Sequence, residues 1–228
     1  MSYYPLAGGD AAGKQPIRPT LALLIQAYDK EFDLGKLQWL LGPIEPDKTK
    51  QEVICEQIRK KVNTVQTSSL GRIFDAVAAM LGLGNYNHFE AQLPIALEAI
   101  ADDCDQRYDF ELAEQSDKQF ILDPRIMIRQ LVADIKNAKE RKTISAMFHN
   151  TVAAGLLEMA KAARQAKGLD KAAISGGVFC NRYLTERLIL LLKKAGFSVL
   201  YNRDFPANDG CVAVGQAAIA VKLAARDK

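Results

Sequence analysis

Two loops near the C-terminal end of this 228-residue chain carry small polar residues of the kind that surround a bound nucleotide or phosphate. The first loop, SGGVFCN, lies between a short apolar run and a strongly amphipathic helix. Gly176 and Gly177 lack the Cβ atoms that keep a ligand away from the backbone. Asn181 is a favoured helix N-cap, and the free amides of a helix N-terminus attract anions. The alternative is that the glycine pair only turns the chain.

The second loop, NRDFPANDG, ends with Asp209 and Gly210, where the last helix is predicted to begin. A carboxylate at this position is either a helix cap or a hard oxygen ligand for a metal ion or a metal-bound phosphate. Each loop follows a predicted strand, AAIS or FSVLY. Since ligands of an open α/β sheet bind beyond the carboxyl ends of its strands, both loops are expected at one binding edge.

The elements that position these loops are predicted from apolar periodicity. The C-terminal region has the order strand, helix, strand, helix, which predicts a βαβα unit with a parallel sheet. Upstream of it, RYDFELAE and KQFILD predict two hairpin-like strands, and two amphipathic helices follow them. Residues 19–105 are predicted to be helical, whereas residues 1–18, with Asp10 in a glycine turn, are predicted to be extended. We expect residues 1–228 to form one lobe with an α/β part at residues 106–228.

The composition excludes several classes of protein. Hydrophobic residues make up 49% of the chain and charged residues 25%, as in ordinary soluble domains. A net charge of +3 gives no sign of a nucleic-acid partner, and no stretch approaches the ~18–20 apolar residues of a membrane span. No secretory signal pattern opens the chain. The cysteines are widely spaced without a CxxC pair, which argues against a zinc ribbon or a disulfide framework and favours a reducing cytoplasm: Cys55, Cys104, Cys180 and Cys211.

The chain contains two histidines, His88 and His149, which lie far apart without an HxxxH or HxxE neighbour. A self-contained metal site of the usual two-histidine kind is therefore not expected. His149 lies near the start of a long amphipathic helix and is predicted to be a packing or capping residue. His88 lies in the loop GNYNHFE and is predicted to be exposed.

Several segments, taken in order, resemble the motifs of one family. They are PLAGGDAAGKQPIRPTLALL, TSSLGRIFDAVAAMLGL, FEAQLPIALEAIA, MFHNTVA and SGGVFCNRYLTERLILLLKKAGFSVL followed by PANDGCVAVGQAAIA. The chain thereby resembles, over almost its whole length, the HypF-type hydrogenase maturation carbamoyltransferases. The resemblance implies an α/β fold: the C-terminal lobe of a threonylcarbamoyl-transferase-like domain of the two-lobed actin/sugar-kinase/Hsp70 (ASKHA) type, helix-rich with a small mixed sheet.

The same resemblance implies a function for the complete protein. Members of the family form carbamoyl-adenylate from carbamoyl phosphate and ATP, and transfer the carbamoyl group to the C-terminal cysteine of the acceptor protein HypE. The implied cofactors are therefore ATP or carbamoyl-adenylate and a divalent metal, Fe or Zn, with none expected in this chain alone. The implied partners are a HypE-type acceptor and the missing first lobe or upstream domains, joined covalently or present as a separate chain.

Family roles fall on individual residues of this sequence. Asp75, in GRIFDAVAAML, matches an aspartate that hydrogen-bonds the ribose hydroxyls, and its alternative is a surface aspartate at a helix end. Asp10 matches an aspartate close to the same cleft, and Asp209 matches a metal-ligating aspartate. The resemblance also assigns three residues of the first loop to the nucleotide pocket: Gly176, Gly177 and Asn181. No catalytic residue is assigned.

The chain departs from the family at two points. Ala91 stands where the family has a glycine in a Tyr-Glu-Gly-Gln motif, and it is predicted to narrow the pocket or weaken binding there. These 228 residues contain no counterpart of the HxxxH motif of the first lobe, the acylphosphatase-like domain, the zinc fingers or the adenylate-forming domain. Two alternatives therefore stay open: a stand-alone nucleotide half-site or partner-binding module without activity, and the lobe of a kinase or chaperone ATPase of the same fold.

Overall fold

A computed structural model describes residues 1–115 and 119–225. Within these residues the strands are β1 (Tyr4–Ala7), β2 (Thr64–Thr67), β3 (Glu111–Gln115), β4 (Gln119–Asp123), β5 (Lys171–Ile174) and β6 (Ser198–Tyr201). The helices are α1 (Ala11–Lys14), α2 (Ile17–Tyr28), α3 (Gln38–Leu41), α4 (Lys48–Lys60), α5 (Leu70–Met80), α6 (Gln92–Ala99), α7 (Arg125–Lys136), α8 (Arg141–Lys167), α9 (Arg182–Lys194) and α10 (Val212–Ala224). No helix among them is both long and apolar enough to cross a membrane.

The strands form three separate pairs in place of the one small mixed sheet expected from the sequence. β3 and β4 are antiparallel, and β5 and β6 are parallel with Lys171 opposite Ser198, so both predicted strand pairs are confirmed. β1 and β2 form an antiparallel pair with Tyr4 opposite Thr67, which the sequence analysis missed. The prediction of a wholly helical region was wrong at β2, because this short strand forms by pairing with a segment far away in the sequence. The N-terminal segment likewise contains β1 and α1 and is not simply extended.

The core lies where α2, α5 and α8 meet. α5 is buried from Ile73 to its C-terminal end, and the first half of α8 is buried on most sides. The rings of Phe74 and Phe148 pack edge to face with their centroids 4.8 Å apart, an arrangement that adds about 0.5–1.5 kcal/mol to the burial of their area. Gly155 allows β4 to approach α8, since a Cβ atom there would lie 2.5 Å from Leu122 Cδ2.

The C-terminal helix differs from the rest of the fold. No residue of α10 is buried, although the helix is rich in alanine and valine. Val212, Ile219 and Val221 are 52%, 62% and 71% exposed. α10 thus presents apolar side chains to solvent, whereas α9 buries Leu184, Leu188 and Leu192.

Candidate nucleotide-binding site

A cleft of about 440 Å³ lies between the start of α5, helix α6 and the loops that follow β5 and β6. Gly176 N donates a hydrogen bond of 2.8 Å to Ala207 O, which joins the two loops. The predicted meeting of these loops at one edge is therefore confirmed. The residues that line the cleft are Ser69, Leu70, Gly71, Arg72, Phe74, Glu90, Ala91, Pro94, Ile95, Glu98, Gly177, Val178, Cys180, Asn181 and Asn208.

Asn181 is the N-cap of α9, as the sequence predicts. Its Oδ1 accepts a hydrogen bond of 2.8 Å from Leu184 N, and its Nδ2 lies 2.9 Å from His149 Nε2. His149 is fully buried and its Nδ1 lies 2.8 Å from the Ser145 carbonyl oxygen, which only accepts hydrogen bonds. The ring therefore carries its proton on Nδ1 and accepts from Asn181 at Nε2. Burial lowers the pKa of His149 to about 4, so the imidazole is neutral at pH 7.

The amides at the start of α9 differ from the open anion site that the sequence analysis expected. Glu98 Oε1, on α6, accepts hydrogen bonds from Arg182 N at 2.7 Å and from Tyr183 N at 3.2 Å. With Leu184 N bonded to Asn181, the first three helical amides all have an acceptor. Because a carboxylate at a helix N-terminus satisfies the same groups as a phosphate, this terminus is already filled.

Asp75 is fully buried on α5 behind Arg72, so the alternative of a surface aspartate is wrong. Its Oδ1 accepts a hydrogen bond of 2.9 Å from Asn87 Nδ2. Arg72 Nη1 lies 2.9 Å from Asp75 Oδ2 and forms an ion pair with it. No donor is aligned for a hydrogen bond to this oxygen, so Asp75 Oδ2 can still accept one. Burial raises the pKa of Asp75 to about 6, against the opposing effects of Arg72 and Asn87.

The other two predicted carboxylates lie outside the cleft lining. Asp10 is exposed beside α1 and caps no amide with its side chain. Asp209 is exposed, and the cap of its helical turn is Asn208, whose side chain accepts from Gly210 N at 3.1 Å. The interpretation of Asp209 as a helix cap is therefore wrong. The described part of the chain contains no group of three metal-ligating side chains.

Ala91 lines the cleft with φ 60° and ψ 19°, in the left-handed region that favours glycine. This conformation gives a physical reason for a glycine in the family motif. Here the alanine keeps the same backbone turn and places a methyl group at the cleft wall.

Sequence reasoning did not single out Arg72, Glu90 and Glu98, the three charged residues of the cleft lining. Arg72 and Asp75 are three positions apart in α5, and this spacing could have suggested an ion pair. Glu98 has no comparable local signal, because its partners on α9 are 84 and 85 residues away in the sequence. Of the predicted nucleotide residues, Gly177 and Asn181 line the cleft, while Gly176 adjoins it.

Comparison with known proteins gives consistent matches over nearly the whole chain. Residues 1–216 match the family model described as "Carbamoyltransferase, Kae1-like Domain, second subdomain". The carbamoyltransferase HypF of Synechocystis sp. is 33% identical over 98% of this chain and 29% of its own length. The probable carbamoyltransferase HypF of Methanocaldococcus jannaschii is 31% identical over 92% of this chain and 26% of its own length.

Two solved structures have the same fold. A full-length HypF in the phosphate- and nucleotide-bound form matches with a TM-score of 0.85 and 35% identity, over 98% of this chain and 28% of that protein. HypF of T. kodakarensis matches with a TM-score of 0.79 and 25% identity, over 95% of this chain and 28% of that protein. The chain therefore spans less than a third of the length of the relatives named here.

These matches define the fold as the second subdomain of a Kae1-like carbamoyltransferase domain. The prediction of a helix-rich α/β lobe of the two-lobed ASKHA type is confirmed. The chain belongs to the HypF carbamoyltransferase family.

Proposed function

We propose that this chain contributes one wall of a carbamoyltransferase site, which binds a nucleotide or carbamoyl-adenylate and serves carbamoyl transfer to the C-terminal cysteine of a HypE-type acceptor in NiFe hydrogenase maturation. The observation that carries the proposal is the cleft at the meeting of the two loops. Its volume of about 440 Å³ lies within the ~300–1,000 Å³ usual for ligand pockets.

The chemistry of the cleft suits a nucleoside. Pro94, Ile95 and Val178 offer apolar surface to a base. The carboxylates of Glu90 and Glu98 are suited to accept hydrogen bonds from ribose hydroxyls. Asp75 is also proposed for this role on family grounds, although its carboxylate is fully buried against Arg72 and does not line the cleft.

Asp209 is the residue of this chain that would hold the divalent metal, Fe or Zn, together with ligands from the first lobe. Its exposed carboxylate accepts no hydrogen bond from the described residues, and carboxylate oxygen is a suitable donor for either ion. One carboxylate leaves most coordination positions to water, so this chain alone would hold the ion loosely. When bound, the metal would supply Lewis-acid stabilisation of charge on the transferring group.

The test uses the chain alone and with the rest of the system. With carbamoyl phosphate, ATP and a HypE-type acceptor, the chain alone should give no carbamoylated acceptor, because positioning of all reactants supplies much of the rate. Addition of a protein that carries the upstream domains and first lobe should give the product. Asp209→Ala in a complete two-lobed protein should abolish metal loading and transfer, whereas Asp204→Ala, an exposed carboxylate in the same loop, should not.

A second candidate function is a binding module that keeps a partner surface without chemistry, and the exposed apolar side chains of α10 favour it. The two candidates differ in one measurement. If the supplemented mixture forms no carbamoylated acceptor while the chain still binds the upstream protein, the binding module is the correct function.

A further inference from the structure

The charges around the cleft are unbalanced for a nucleotide. Among the described residues that line it, Glu90 and Glu98 are acidic and Arg72 is the one cation. A phosphate group brings further negative charge and needs a nearby cation or free amides. The amides at the start of α9 are occupied by Glu98 and Asn181 and are not available to it.

Arg72 has the geometry of a ligand-binding cation. It lies in the first turn of α5, and 24% of its side chain is exposed. Its Nη1 contacts Asp75 Oδ2 at 2.9 Å and Ala12 O at 3.5 Å. Nε and Nη2 donate to no described residue, and neither atom is buried without a partner. A guanidinium has five N–H groups in a fixed planar fork, so one edge can contact the protein while another stays open to a phosphate.

Asp75 is held rigidly behind this guanidinium. Asn87 Nδ2 donates to Asp75 Oδ1 and also to Gly13 O at 3.0 Å, while Asn87 Oδ1 accepts from Leu93 N at 3.0 Å. The asparagine is therefore fixed by backbone groups on both sides. The carboxylate it holds is fully buried, and the charged group it faces is Arg72.

We propose that Arg72 binds the phosphate group of the nucleotide in the cleft and that Asp75 is a positioning residue for the Arg72 guanidinium. This inference rests on the proposed function and assigns one part of its ligand to one residue. It also gives the buried aspartate a role in addition to the ribose contact implied by resemblance.

The test compares ligands with and without phosphate by NMR titration of the 228-residue chain with AMP, adenosine and inorganic phosphate at millimolar concentrations. Wild-type protein should bind AMP about tenfold more tightly than adenosine, since a charge-assisted contact is worth at least one such factor. Arg72→Gln should remove this preference and leave adenosine affinity within about twofold. Asp75→Asn should reduce the preference for AMP severalfold, because the Arg72 guanidinium stays charged but loses the ion pair that fixes its position.

Arg125→Gln is the matched control, because it removes another arginine with a carboxylate partner, Asp123 at 2.7 Å, on the surface away from the cleft. It should leave the preference unchanged. The resonance of the Arg72 Nε–H group in wild-type protein gives a measurement that does not depend on the folding of any variant. It should shift with AMP and stay in place with adenosine.

The outcomes separate the two proposals. Equal AMP preference in wild type and Arg72→Gln, or an unmoved Arg72 resonance, overturns the role of Arg72 while nucleotide binding stands. An unchanged preference in Asp75→Asn overturns the positioning role. Inorganic phosphate that binds as tightly as AMP overturns the nucleotide assignment in favour of a phosphate site. If neither AMP nor adenosine shifts cleft resonances, this inference fails for the chain alone, whereas the proposed function concerns the complete site and fails only if the supplemented mixture forms no carbamoylated acceptor.

Discussion

His149 Nε2 accepts a hydrogen bond from Asn181 Nδ2 at 2.9 Å, and this contact connects the buried part of α8 to the wall of the cleft. Because Nδ1 donates to Ser145 O, the tautomer is fixed by the helix itself. The orientation of the Asn181 amide follows, with Oδ1 directed to Leu184 N and Nδ2 to the imidazole. A series of buried hydrogen bonds from Ser145 through His149 to Asn181 therefore fixes one wall of the cleft.

Replacement of His149 by phenylalanine should lower the free energy of unfolding by about 1–3 kcal/mol, because the Asn181 amide loses a buried acceptor. It should also remove a pH dependence. The pKa of His149 is lowered to about 4, so between about pH 6.5 and 4 the unfolded chain binds a proton that the folded chain does not. Wild type should therefore lose up to about 3 kcal/mol relative to the variant as the pH falls through this range. Urea unfolding from pH 7 to 4 measures both effects.

The control for this experiment is His88→Gln, which removes the exposed histidine. Its free energy of unfolding should change with pH in the same way as that of wild type. If the free energy of unfolding of wild type falls with pH no more than that of His149→Phe, the imidazole is not neutral and buried as described.

The comparison of wild type with Asp75→Asn should show a pH dependence of stability opposite in sign to that for His149. The pKa of Asp75 is raised from 3.8 to about 6, so over this range the folded chain binds a proton that the unfolded chain does not. As the pH falls from 7 to 4, wild type should therefore gain stability relative to the variant, by up to about 3 kcal/mol. The difference between the two urea-derived free energies at each pH gives the result. If wild type gains no stability relative to the variant on acidification, Asp75 is not buried as a charged group.

Ala91→Gly should stabilise the protein by up to about 1 kcal/mol. The left-handed backbone costs an alanine about 1–2 kcal/mol, and the greater entropy of glycine in the unfolded chain offsets part of the gain. Ala96→Gly, in the interior of α6, is the matched control and should cost about 1 kcal/mol. Thermal melts of the two variants distinguish this explanation, since equal losses in both would rule out strain at Ala91.

Asp209→Ala should change the free energy of unfolding by less than about 0.5 kcal/mol, because its exposed side chain caps nothing in the described structure. Asn208→Ala should cost more, about 0.5–1 kcal/mol, since its side chain accepts from Gly210 N. Denaturant unfolding of the two variants side by side provides the comparison. If Asp209→Ala loses more stability than Asn208→Ala, Asp209 is the capping residue.

The parts of the fold that the sequence predicts are those with a local signal. The cap at Asn181 and the β5–α9–β6 order follow from periodicity and from residues close to each end. The pairing of β1 with β2 and the contact of Glu98 with α9 join segments that are distant along the chain, so no local pattern contains them. The burial of Asp75 likewise depends on Asn87, which lies beyond the end of its own helix.

The exposure of α10 has a consequence for how the protein behaves in different buffers. Sulfate, phosphate and moderate warming strengthen the burial of apolar surface, whether that surface is in the core or on a neighbouring molecule. Val212, Ile219 and Val221 are more than half exposed among the described residues, so conditions that protect the core also favour burial of this helix against another molecule. Cold buffers without sulfate weaken both the burial in the core and the tendency of this helix to find cover.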